Sequence, residues 1–310
     1  REGFAGVPAV GGAAGVFAFA PFGWFPVNGL TLGGLFGLLC AEADATGRPR
    51  RGAALAAAYA FGLFLTGVSW VYVSLHVFGG MPAALAGLAT VLFCGVLTLS
   101  TAVAGALFVC WAAPGWLARA VLFGSLWLLA EWSRGWAFTG FPWLAAGYAQ
   151  TPPSPLAGYA PLVGVYGVSL LTALVGAIVF EVIRRWLSTT ECDGRPWLRW
   201  CPALPLLIVG LILSVGSVLR EIRWTEPTGE PLTVALLQGN VAQEMKWRPE
   251  RFVDSLRTYY RLALEHPARL TVLPETALPA FLEQVPATYL EELEQLAIRQ
   301  EGNLVFGIAV

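Results

Sequence analysis

Long uncharged stretches dominate the first two thirds of the chain, with neither the alternation of a half-buried strand nor the polar stripe of a surface helix. Residues 3–41, 52–118 and 135–180 contain no Asp, Glu, Lys or Arg. A membrane-spanning helix needs about 20 mostly apolar residues, so these runs divide into spans at their Pro, Gly and Asn breakers. With the further apolar stretches 117–134 and 202–219, the division predicts seven, near residues 6–24, 28–42, 52–76, 83–112, 117–134, 160–183 and 202–219. Pro21, Pro26 and Asn28 separate the first two, and Gly79-Gly80-Met81-Pro82 closes the third. A cleavable signal peptide does not fit, because only Arg1 and Glu2 precede the first run and a second apolar run follows at once. The chain opens on Arg and not on Met, so native residues are expected ahead of it.

Beyond residue 220 the pattern changes. Of 39 charged residues, 21 fall in the final 90, which places a boundary in the turn-rich stretch 221–230 between a helical bundle (1–220) and a soluble piece (231–310). Leu232-Thr-Val-Ala-Leu-Leu-Gln238 reads as a buried strand. A helix follows from Pro249 to His266, with Phe252, Leu256, Tyr259, Tyr260 and Ala263 at helical spacing. Leu270-Thr-Val-Leu-Pro274 is a second strand. Thr288 and Glu291 give a capping-box start to a helix carrying Tyr289, Leu293, Leu296 and Ala297, which Gly302 stops before a third strand over 304–310. The alternation β-α-β-α-β implies right-handed crossovers and a parallel sheet. Such a sheet needs cover on both faces, and few helices are supplied. The chain is accordingly expected to be interrupted within this domain.

Composition agrees with a membrane setting: 56% of the 310 residues are hydrophobic and 13% charged, against about 25% charged in soluble proteins. Mean hydropathy is +0.64. A net charge of −1 leaves no basic surplus for nucleic acid. Cys40, Cys94, Cys110, Cys192 and Cys201 show neither metal-ligand spacing nor a disulfide framework, and with only His76 and His266 a multi-histidine metal site is not expected. Loop arginines set the orientation. Arg48, Arg50 and Arg51, then Arg119, then Arg184, Arg185, Arg195 and Arg199 mark inside loops, whereas the alternate loops offer only Arg134. An inside N-terminus and an extracytoplasmic soluble domain follow.

Gly29, Gly33 and Gly37 recur on one face of the second span and predict close helix packing. Glu131 and Arg134 read as an ion pair at the membrane interface or as a contact for a lipid headgroup, and His76 as an interfacial anchor or an acid or base. The segment 138–150 is too rich in Gly, Pro and aromatics for a straight span; Trp136, Phe141, Trp143 and Tyr148 there form either an aromatic belt or a lipid-binding floor. Glu275, at the carboxyl end of the second strand, is placed to be a general base or is a solvated edge residue. Trp247 follows the first strand in a polar loop, where it could cover a helix start.

These residues come in a distinctive order: Gly67-Val-Ser-Trp70-Val-Tyr72 with Phe78-Gly-Gly-Met-Pro82, Glu131-Trp-Ser-Arg-Gly135, Thr139-Gly-Phe-Pro-Trp143, Gly147-Tyr148, Leu237-Gln-Gly-Asn240 with Lys246-Trp247, and Pro274-Glu-Thr-Ala277. Together they resemble the bacterial apolipoprotein N-acyltransferase family, membrane-anchored members of the nitrilase superfamily. The resemblance implies a multi-span α-helical membrane bundle followed by the start of a nitrilase-like α-β-β-α sandwich. It also implies a Glu-Lys-Cys triad in which Glu275 is the base, with Trp247 as a gate or acyl-chain contact near the substrate entrance and Trp143 and Tyr148 on the lipid-binding floor. No residue here matches the triad's lysine, because Lys246, the only lysine, lies upstream of Glu275. None matches the nucleophile, because every cysteine precedes residue 202.

The implied reaction is acyl transfer from a phospholipid, through a thioester, to the α-amino group of a diacylglyceryl cysteine on an apolipoprotein. It requires no cofactor and no metal, in a monomer of the bacterial inner membrane. On this reading the chain is the N-terminal segment of a longer enzyme, inactive alone. The competing readings are a membrane-tethered carbon–nitrogen hydrolase and a transport or lipid-binding bundle. The scarcity of ionisable residues inside the spans counts against ion-coupled transport.

Overall fold

The structure is a computed structural model that describes residues 6–188, 203–242 and 246–309. The chain divides into two compact units, Arg1–Trp224 and Thr225–Val310. Arg195, Arg199, Cys192 and Cys201 of the third arginine-marked loop lie outside the described residues.

The first unit is helical: α1 (Gly6–Gly15), α2 (Phe25–Ala45), α3 (Pro49–Gly67), α4 (Trp70–Val73), α5 (Ala83–Trp111), α6 (Trp116–Arg134), α7 (Ala160–Ser188) and α8 (Ala203–Arg220). Each expected span is thus helical in the main, but the segments are unequal. Among the described residues, four are long and apolar enough to cross a membrane: Phe25–Ala45, Ala83–Trp111, Pro155–Leu187 and Ala203–Arg220. The third expected span is broken. Pro49–Gly67 and Trp70–Phe78 meet at a 48° bend and together make a fifth, and the second arm ends in a π-helical turn over Ser74–Phe78. The first span is helical only over Gly6–Ala18, and α6 carries Arg119, Glu131 and Arg134 within 19 residues.

Small residues decide how these helices pack, because in lipid there is no hydrophobic drive between apolar helices and close backbone approach supplies the contact energy. A Cβ on Gly33 would lie 2.5 Å from the Gly176 carbonyl oxygen, and one on Gly37 would enter the Phe180 ring, so the expected glycine face of α2 seats on α7. Gly52 and Gly105 play the same part between α3 and α5, as do Gly12 and Gly62 between α1 and α3. Between these crossings lies a core of Leu32, Phe36, Tyr59, Phe108, Phe123 and Trp127. Outward residues such as Leu207 and Leu211 of α8 stay more than 60% uncovered, as a lipid-facing surface would.

In the second unit β1 (Val234–Leu236), β2 (Leu270–Val272) and β4 (Asn303–Val305) form a parallel sheet in the order β1-β2-β4, and β3 (Leu278–Phe281) pairs in parallel with β5 (Ile308–Ala309). Two helices, α9 (Pro249–Glu265) and α10 (Ala287–Arg299), accompany the sheet. Parallel pairing and the α9 face are as the pattern predicts; Leu256, Tyr259 and Ala263 are buried. Four details differ. The third strand is broken at Phe306-Gly307, and β3 is an additional strand whose alternation of buried Leu278 and Ala280 is interrupted in sequence by Pro279. The capping box at Thr288 does not form: Pro286 is the N-cap, so Thr288 already lies in the first turn with no cap to make. Past the end of α10 it is Glu301, not Gly302, that turns left-handed (φ 49°); Gly302 is needed because a Cβ there would press on the Ala268 carbonyl oxygen.

One face of the three-stranded sheet, through Ala235 and Leu304, joins the core of Leu237, Tyr259, Ala263, Leu273 and Leu296. On the other, Val234, Leu236 and Val305 are at least half exposed, with Leu236 at 78%. That face is apolar and bare.

Candidate functional site

In the helical unit the candidate lipid-contact residues sit on the chain between α6 and α7. The segment leaves α6 through a turn in which the Phe141 N–H donates to the Arg134 carbonyl (2.8 Å). At its tip Phe138 (φ 53°) and Thr139 (φ 79°) are left-handed, a conformation that is uncommon for residues other than glycine and strained for β-branched ones. Phe138 is 91% exposed. Trp143 stands edge-on to Trp70 with ring centroids 5.6 Å apart, and Phe141 lies between Trp143 (6.2 Å) and Phe93 of α5 (5.0 Å). The row joins the loop to the bend between α3 and α4. Trp143 and Tyr148 each keep about half their surface open.

Buried polar groups hold this segment from beneath. Glu131 Oε1 accepts from Trp127 Nε1 (2.7 Å) and from the Ala146 N–H (2.9 Å). Arg134 donates to the carbonyls of Phe141 (3.3 Å) and Trp143 (3.2 Å) and lies 4.8 Å over the Phe64 ring. The Gly147 N–H donates to Ser169 Oγ of α7 (2.8 Å). Glu131 and Arg134 are only 2% and 7% exposed, and no ion pair within 4.0 Å joins them. The expected interfacial ion pair is therefore replaced by two separate attachments of the loop backbone. A spacing of three residues on a helix could not have distinguished the two. His76 lies in the π-helical turn with Nδ1 2.8 Å from the Met81 carbonyl, so that nitrogen carries the proton.

In the α/β unit Glu275 lies in the turn between β2 and β3, exposed, beside left-handed Thr276 (φ 53°). Gly307 lets the link between β4 and β5 pass directly under it: a Cβ there would lie 2.7 Å from the Thr276 nitrogen and 3.0 Å from the Glu275 Cα. From the other side Lys246 Nζ donates to the Glu275 carbonyl (3.2 Å). The backbone of the turn is thus held while, among the described residues, the carboxylate itself makes no hydrogen bond or ion pair. Lys246 also brings its neighbour Trp247 to this end of the sheet. Trp247 is 56% exposed. The contact of Lys246 with Glu275 joins residues 29 apart and has no local signal in the sequence. Nearby, burial raises the pKa of the Tyr289 phenol above its ordinary value, and its hydroxyl donates to the Leu256 carbonyl (2.9 Å). Among the described residues no group of three His, Cys, Asp or Glu could hold a metal ion.

A bundle of apolar helices continued by a parallel α/β unit defines a membrane protein with an α/β appendage. Residues 11–178 match the model of the apolipoprotein N-acyltransferase N-terminal domain. The match lies wholly within the helical unit. The chain belongs to the apolipoprotein N-acyltransferase family. Relatives of that name cover both units: one from Nitrosomonas europaea is 42% identical over 304 residues (96% of this chain, 56% of the relative). Others from Chromobacterium violaceum (41%; 97% and 55%) and Ralstonia nicotianae (39%; 96% and 54%) are similar. The chain spans about half the length of the curated relatives it matches.

Proposed function

We propose that this chain supplies the membrane bundle and the base-bearing part of an enzyme that moves a fatty acyl chain from a phospholipid to the α-amino group of the N-terminal diacylglyceryl cysteine of an apolipoprotein. The observation that carries the reading is Glu275, whose turn is held by Lys246 and Gly307 while its carboxylate, among the described residues, makes no hydrogen bond or ion pair at the carboxyl end of β2, where open parallel sheets present reactive groups. A cysteine thiolate, its proton taken by Glu275, attacks the acyl ester carbonyl; the ester C–O bond breaks and lysophospholipid leaves with the proton. Glu275 then takes a proton from the acceptor amine, whose nitrogen attacks the thioester; the C–S bond breaks, and amide and thiol result. A lysine cation stabilises each oxyanion. Both the cysteine and the lysine belong to the family's triad and match no residue of this chain.

The bare apolar face of the sheet supports an α-β-β-α sandwich, since a second sheet packed there would cover Val234, Leu236 and Val305. The seven helical segments act as seven spans with the N-terminus cytoplasmic and the α/β unit on the periplasmic side of the inner membrane, as the loop arginines require. The enzyme works as a monomer. Trp143 and Tyr148 contact lipid, and Trp247 gates the entrance. Acyl donor and acceptor are both anchored in the bilayer, which explains why such a unit is joined to a bundle.

The test uses the protein carried on to the length of its relatives, with transfer of a labelled acyl chain from phospholipid to a diacylglyceryl peptide. Glu275→Gln should lower transfer by at least about a hundredfold, the usual contribution of a general base, with membrane insertion intact. Normal turnover in that variant would refute the assignment, and release of free fatty acid or ammonia in place of peptide acylation would favour the hydrolase.

A further inference from the structure

Two charged side chains deep in the helical unit remain without a part in this chemistry. Glu131 and Arg134 stand one turn apart on α6 and both point their polar atoms at the backbone of the segment that carries Trp143. In surroundings this dry a charge is costly unless hydrogen-bonded, and a bond to a charged group is about twice as strong as a neutral one. The Arg134 guanidinium is solvated by the carbonyls of Phe141 and Trp143 and by the face of Phe64. Lifting the loop would therefore strip a buried cation of its acceptors. Glu131 does the reciprocal task with a single oxygen, which accepts from the Ala146 N–H and from Trp127. Its other oxygen, Oε2, is buried with no hydrogen-bond partner within 3.5 Å, and the Ser169 hydroxyl is close enough to act on the carboxylate. The two attachments hold the backbone at and on both sides of Trp143, while half the surface of that residue remains open.

We infer that Glu131 and Arg134 are positioning residues, which fix the loop so that Trp143 and its aromatic row present a preformed surface to the acyl chain of the phospholipid donor. This rests on the acyl-transfer reading above. Neither residue touches the reacting atoms. Their contribution is to binding: the ordering of the loop is completed during folding and not at the expense of donor affinity. The geometry also separates charge from hydrogen bonding. A glutamine at position 131 keeps the oxygen that accepts both bonds and alters the one that has no partner within 3.5 Å. A lysine at 134 keeps the charge but has no planar fork to reach carbonyls two residues apart.

The experiment has two arms. A nitroxide on Phe138→Cys, at the exposed tip of the loop, is read by electron paramagnetic resonance in protein whose native cysteines are replaced. Glu131→Ala, Arg134→Ala and Arg134→Lys should each add a mobile component, whereas Glu131→Gln should retain the immobile spectrum. In the protein carried to the length of its relatives, the first three should raise KM for phospholipid about tenfold, equivalent to about 1.4 kcal/mol, with kcat changed by less than about twofold. Glu131→Gln should restore both. Unaltered spectra beside intact transfer would overturn the inference, as would a mobile loop with unchanged KM or a fall in kcat alone. Absence of transfer in the unsubstituted protein would instead bring down the acyl-transfer reading, and the positioning role with it.

Discussion

The helix α5 contains two glycines whose surroundings are opposite, and the same added methyl group should act on them with opposite sign. Gly105 faces Gly52 where α3 and α5 cross. A Cβ on Gly52 would lie 2.5 Å from the Gly105 carbonyl oxygen, and one on Gly105 would meet the Gly52 carbonyl oxygen and lie 2.5 Å from the Ala56 Cβ. Since the obstacle is backbone, no rotamer change can relieve it and the helices must separate. Gly95, ten residues earlier, has nothing within 4 Å of a Cβ. Either Gly→Ala change gains about 1 kcal/mol of helix propensity, so that term cancels in the comparison. What remains is the overpacking at Gly105, about 1–3 kcal/mol. For a unit of this size each kcal/mol moves the melting midpoint by about 2–4 °C, so the two variants should differ by several degrees. Thermal unfolding in detergent, followed by tryptophan fluorescence, measures this. Gly95→Ala should melt at or above the unsubstituted protein and Gly105→Ala below it. If Gly105→Ala melts as high as Gly95→Ala, the inference that backbone contact between small residues holds α3 on α5 is wrong.

Two further outcomes concern the α/β unit. Tyr289→Phe should cost about 1 kcal/mol through the unpaired Leu256 carbonyl, read by hydrogen exchange in α9 and α10. Because the folded phenol has a raised pKa, its stabilisation is fully present below the unfolded value of about 10 and is lost as pH rises through the folded value; Tyr289→Phe should remove that alkaline loss. Leu236→Lys should change the unit's urea stability in this chain by less than about 0.5 kcal/mol. In protein of the relatives' length it should cost about 2 kcal/mol or more, as an unpaired buried polar group does. Tolerance in both would refute the second sheet.

Much of this was legible along the chain. Apolar runs, most of them without charge, predicted the helical segments of the first unit, because apolar side chains and a hydrogen-bonded backbone leave a membrane segment few alternatives to a helix. The spacing of Gly29, Gly33 and Gly37 marked a packing face, and the strand-helix alternation implied the parallel sheet. Glu275 could be placed at a strand end from local pattern, but its role as base came from resemblance alone. What the sequence determined, in short, is what depends on neighbours within a few turns of chain: which segments are helix or strand, where charge is excluded, and that the pattern changes in the stretch 221–230. Tertiary structure alone decided the rest. The 48° bend in the third segment, the Lys246 bond to the Glu275 turn, and the separate attachment of Glu131 and Arg134 to the loop all depend on partners distant in sequence or on backbone atoms. A carbonyl or an N–H is present at nearly every residue, so no pattern of side chains can reveal which one a buried charge will choose; only the packing that excludes water makes that choice.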